Sequence, residues 1–155
     1  MSDRPSSSQR QSYIESSIIM GTVRVVSPFV FTYGLFVMFH GADSAGGGFQ
    51  GGVIVATVML MLGIAFGIDP VREWVGERLL VAIVVGGVTA FLAVASSTVL
   101  LGGAFLDVSV FGGHHASKYS IEIIELFIGA IVASTITGLF IAIDAGTNDD
   151  GGNDK

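Results

Sequence analysis

A chain of 155 residues with 51% hydrophobic and 13% charged residues, at a mean hydropathy of +0.75, is too apolar for a soluble domain, in which about 25% of residues are charged. The lack of cysteine excludes disulfides, thiolate metal sites, iron–sulfur ligation and cysteine nucleophiles within the chain. A net charge of −6, with seven scattered Lys and Arg, argues against nucleic acid, which needs clustered cations. The composition is that of an all-α membrane protein, and the 22 glycines fit close helix packing in lipid.

Residues 1–19 form a polar, Ser-rich segment carrying Arg4 and Arg10, expected to lie in water. The first apolar span runs from about Gly21 to Phe39. It is too long for a signal-peptide core of ~7–15 residues and no small-residue cleavage motif follows, so it is read as a retained helix. Arg24 near its start can snorkel to the interface. Pro28 removes one helical donor, which bends the helix or opens a gap for water or an ion.

After the first span come His40 and Asp43, three residues apart. Interface solvation accounts for both, and so does a proton or Na⁺ relay, because imidazole titrates near pH 6.5 and carboxylates bind hard cations. The segment 39–52, FHGADSAGGGFQGG, then leads into the second span, Gln50 to Ile68. A phosphate loop would need Lys and Ser/Thr after the glycines, and a dinucleotide fingerprint a preceding strand; neither is present. Gly47 with Gly51, and Gly48 with Gly52, make two overlapping G-x-x-x-G pairs that clear one face of the second helix for a neighbour. Backbone carbonyls of an unwound stretch offer a second reading, as ion ligands.

The run 69–78 (DPVREWVGER) reads as a short connection with an interfacial Trp, before a third span from Leu79 to Leu101. In the following loop His114 and His115 are adjacent, without the spacing of a helix-borne ligand pair. The fourth span, Ser120 to Ile143, opens with Glu122 and Glu125 on one face. If Ser117 caps that helix, Glu125 lies ~12 Å from its start. Charge placement near a helix N-terminus, with Lys118 four residues before Glu122, is one account. The other is a cation or proton route, since a carboxylate at depth requires a partner or a wet path. Residues 144–155 (DAGTNDDGGNDK) read as an acidic, disordered tail.

Each span has about the 20 residues needed to cross the hydrocarbon as a helix. Lys and Arg gather at the N-terminal segment and the 69–78 connection, so the positive-inside rule places both termini in the cytoplasm. The loops holding His40, Asp43, His114, His115 and Lys118 then share the opposite side.

The segment FHGADSAGGGFQGG resembles the signature of the MnhB family, one of the small membrane components of multisubunit Mrp (Mnh) monovalent cation/proton antiporters. The likeness rests on Gly46, Gly47, Gly48, Phe49, Gln50, Gly51 and Gly52, with Pro28 and Ile124-Glu125-Leu126 in support, and extends over residues 20–143. Ser44-Ala45 stands where family members often have Ser-Pro. The resemblance implies a four-helix subunit in the cell membrane, packed within an obligate hetero-oligomer beside complex I-like polytopic subunits. It implies Na⁺/H⁺ exchange with no catalytic chemistry, no cofactor and no metal beyond transient Na⁺. Glu125, Glu122, His40, Asp43 and Lys118 are then the candidates for the ion route. Two further readings remain at this point: the membrane subunit of a hydrogenase-like redox-driven pump, and a structural spacer.

Overall fold

The computed structural model describes residues 16–41 and 46–150, with side chains for all of these except 114 and 147–150. Five α-helices follow one another: α1 (Ser17–Phe39), α2 (Gly48–Phe66), α3 (Ile68–Trp74), α4 (Glu77–Leu100) and α5 (His114–Asp150). One 3₁₀ turn, Val108–Phe111, precedes α5. Four of the helices, α1, α2, α4 and α5, are long and apolar enough to cross a membrane. A helix lets a single apolar segment cross lipid with its backbone amides bonded within the segment itself.

The boundaries differ from those read in the sequence, for local reasons. α2 starts at Gly48 and stops at Phe66, because Gly67 turns the chain with φ +92°. The 69–78 connection is not plain loop: Ile68–Trp74 forms a short helix. Pro70 is its third residue, where the missing N–H would have had no helical acceptor. α5 begins at His114 rather than Ser120, so the two histidines open the helix and Ser117 does not cap it. The Ser117 hydroxyl instead donates to Val108 O at 3.2 Å, joining α5 to the 3₁₀ turn. At its other end α5 continues to Asp150, so the expected aqueous tail begins as helix. There Arg72 lies 3.8 Å from Asp144 and 3.4 Å from the Ile141 carbonyl, which fastens α3 to α5.

α1 packs on α2, α2 on α5, and α5 on α4, with a smaller contact between α1 and α5 near Met38 and Gly129, so the main packing runs as a row, α1–α2–α5–α4. The buried apolar side chains are few and mostly small, among them Ala56, Ala65, Ala95, Val58 and Val71. The outer faces carry large exposed side chains such as Phe29, Phe36, Val85 and Leu92. Apolar surface of this kind is stable against lipid tails, and helix association must come from close backbone approach.

Close approach is what the glycines supply. A Cβ on Gly52 would lie 2.5 Å from the Gly129 carbonyl oxygen, and one on Gly51 2.7 Å from the Gly34 carbonyl oxygen. Gly48 and Gly52 therefore face α5, while Gly51 faces α1. The G-x-x-x-G pairs clear two faces of α2 for two neighbours, not the single face expected. A helix with slots on both sides is what allows α2 to stand inside a row.

Candidate functional site

Four chain ends converge at one end of the row: the C-terminus of α1, the N-terminus of α2, the C-terminus of α4 and the N-terminus of α5. This follows from four successive crossings, and it brings the 39–52 segment to α5. Gly47, the residue preceding α2, has φ +139° and ψ −176°, a conformation open to glycine and strained for any L side chain. That geometry turns the chain into α2 with its first N–H groups uncapped by any side chain.

Glu125 occupies this turn. A Cβ on Gly47 would lie 3.0 Å from Glu125 Oε1, and the same point is 3.6 Å from Gln50 Oε1. A Cβ on Gly41, just beyond α1, would strike the Glu125 carboxylate, and one on Gly48 would strike the Glu125 backbone carbonyl. Three glycines, two before α2 and one at its first position, thus form a cradle that only hydrogen side chains leave open. The carboxylate faces the N-terminal end of α2, where the helix dipole and unbonded N–H groups favour negative charge. Its Oε2 is buried and has no hydrogen-bond partner among the described residues.

The depth of the site follows from helix register. Gly87 against Ile131 and Gly138 against Leu80 set the antiparallel pairing of α4 and α5, which brings Leu100, the end of α4, level with Lys118. Glu125 lies seven residues further along α5, about 10 Å below that level at 1.5 Å per residue. Lys118 Nζ is 4.0 Å from Glu122 Oε1 above it, the i,i+4 pair expected from the sequence. Lys118, Glu122 and Glu125 descend along α5 at spacings of four and three residues.

His40 stands at the level of the cradle. Its ring stacks on Phe36 with centroids 4.1 Å apart, and Nδ1 lies 3.2 Å from the Phe36 carbonyl oxygen. Asp43, the expected companion of His40, lies outside the described residues. His115 opens α5 about 15 Å along the helix from Glu125, too far for direct contact at 1.5 Å per residue. Pro28 stands near the middle of α1, remote from Glu125. Sequence reasoning passed over Gly41 and Met38. A Cβ on Gly129 would lie 2.6 Å from Met38 Cε, so Met38 closes the floor below the cradle. The Gly41 signal was available in the His40-Gly41 pair; that of Met38 was not, since it reads as one apolar residue among many.

The sequence is similar to those of known antiporter-subunit domains. Residues 18–138 match the family model of domains related to the MnhB subunit of Na⁺/H⁺ antiporters. A Staphylococcus haemolyticus protein named "Putative antiporter subunit mnhB2" is 26% identical over 139 residues, covering 85% of this chain and 97% of the relative. Its namesake in Staphylococcus aureus strain Newman is 29% identical over 124 residues, covering 79% and 80% respectively. The matched region takes in the first three spans almost whole, the fourth as far as Gly138, the glycine turn and Glu125, and the chain belongs to the MnhB-related family of antiporter-subunit domains, as a multi-pass membrane protein.

Proposed function

We propose that the chain is a subunit of a multisubunit cation/proton antiporter of the cell membrane, exchanging Na⁺ for H⁺, and that Glu125 in its glycine cradle carries protons or cations at the outer mouth. The observation that carries this reading is a buried carboxylate oxygen with no partner among the described residues, held about 10 Å below the end of the neighbouring helix. A carboxylate bound only for structure would be expected to have its lone pairs filled, because an unsatisfied buried acceptor costs stability. Kept open at the foot of the Lys118–Glu122 pair, it is placed to accept a proton or to share a cation with groups supplied by neighbouring subunits. His40 stands at the level of the same turn, and His40 with Asp43, three residues on in the sequence, would extend the route toward water.

The termini lie in the cytoplasm on this reading, from the distribution of Lys and Arg. The other subunits include complex I-like polytopic proteins, and the exposed faces of the helix row are where they attach. Glu125→Gln preserves shape and removes the charge. Cation-driven proton movement in everted membrane vesicles should fall by about 100-fold, the low end of what a positioned proton-transfer group contributes, while the amount of assembled complex stays at the wild-type level. Wild-type exchange in that variant would leave the chain a structural spacer.

A further inference from the structure

At the opposite end of the row from Glu125, α1, α2 and α3 enclose a cleft of about 430 Å³ lined by Arg24, Ser27, Leu62, Phe66, Val71 and Trp74, with Pro70 at its edge. We propose that this cleft binds an anionic phospholipid, with the phosphate on Arg24 and Ser27 and an acyl chain along Leu62, Phe66 and Trp74.

Two polar side chains line the cleft without an ion pair or hydrogen bond among the described residues. The Arg24 guanidinium lies 5.4 Å from the centre of the Phe66 ring and makes no ion pair among the described residues. Ser27 is 6% exposed and its hydroxyl has no hydrogen-bond partner among the described residues, whereas Thr22, Thr32 and Thr57 each bond to a carbonyl one turn back. The cleft thus offers a positive charge and a hydroxyl donor above apolar walls. A phosphodiester accepts from both, while the guanidinium keeps monovalent cations away.

The position suits a lipid. Arg24 is the eighth residue of α1, within snorkelling distance of the interface, and Trp74, 71% exposed, is the kind of aromatic residue found at that level. Of the other described cations at this end, Arg72 is turned to Asp144 on α5 and Arg78, at the start of α4, is not part of the cleft lining.

Trp74 is the single tryptophan of the chain, which makes the test direct. The full-length protein is reconstituted in phosphatidylcholine vesicles into which dibrominated phosphatidylglycerol or dibrominated phosphatidylcholine is titrated, and quenching of Trp74 is followed. Quenching by the brominated anionic lipid should occur at about fivefold lower mole fraction, the advantage that one cation confers at an anionic headgroup. Arg24→Gln should remove that preference, Ser27→Ala should reduce it, and Arg24→Lys should retain part of it, each with wild-type helical circular dichroism. Excess inorganic phosphate should not restore the fluorescence, and native mass spectra of the assembled complex should carry a phospholipid that Arg24→Gln loses.

Equal quenching by the two lipids, or an unchanged preference in well-folded Arg24→Gln and Ser27→Ala variants, overturns the proposal. Relief of quenching by inorganic phosphate would make the site one for the free anion. A complex without Arg24-dependent phospholipid would assign the cleft to a partner subunit and contradict the lipid equally.

Discussion

Glu125 and its three glycines form a unit in which each residue type has a separate physical reason. Gly47 supplies a backbone angle that other residues reach only with strain, Gly41 makes room for the carboxylate, and Gly48 makes room for the α5 backbone. Gly47→Ala should therefore lower stability by about 1–3 kcal/mol, read as a lower Tm of the purified protein in detergent; an unchanged Tm would mean that the turn relaxes without cost. Glu122, by contrast, is half-buried and faces Lys118 at 4.0 Å. Glu122→Gln should reduce exchange much less than Glu125→Gln in the same vesicles, and an equal loss would place the route through the upper carboxylate. The two acids were visible in the sequence as an i,i+3 pair on one face. Which of them enters the glycine turn was not, because that depends on a register between α2 and α5 that no local pattern encodes.

Among the elements, α2 is the one on which the row depends. Gly48 and Gly52 meet α5 and Gly51 meets α1, whereas Gly86 on α4 has open space beside it. Gly52→Leu should part α2 from α5 and remove the subunit from membranes or from its complex, since overpacking a tight contact costs about 1–3 kcal/mol or more. Gly86→Leu should be accepted, and quantitative blotting of membrane fractions compares the two. Loss of both variants would show that bulk on any glycine is harmful, not the specific slots. The Arg72–Asp144 pair is exposed enough that Asp144→Asn should shift stability by less than about 1 kcal/mol, a null result read from the same Tm measurement. Four apolar spans were legible because length and hydropathy suffice to define them. The short α3, the early start of α5 at His114 and its extension to Asp150 were not, since Pro70, the histidines and the acidic run all read locally as loop, and it is contact with neighbouring helices that holds α3 and α5 there.

As a whole molecule, a row of four helices with two broad apolar faces has little core of its own, and small residues rather than large ones hold it together. Such a chain gains from neighbours that cover its faces and, on the proposed reading, supply groups beside Glu125. Membership of the MnhB-related family accords with that need. The measurement that bears most directly on the proposed role is purification from membranes in mild detergent through a tag on the C-terminal tail, with mass spectrometry of what co-elutes. Recovery of several polytopic subunits, complex I-like ones among them and no redox enzyme, is the expected result. A lone chain, or one that elutes with hydrogenase-like subunits, would contradict it.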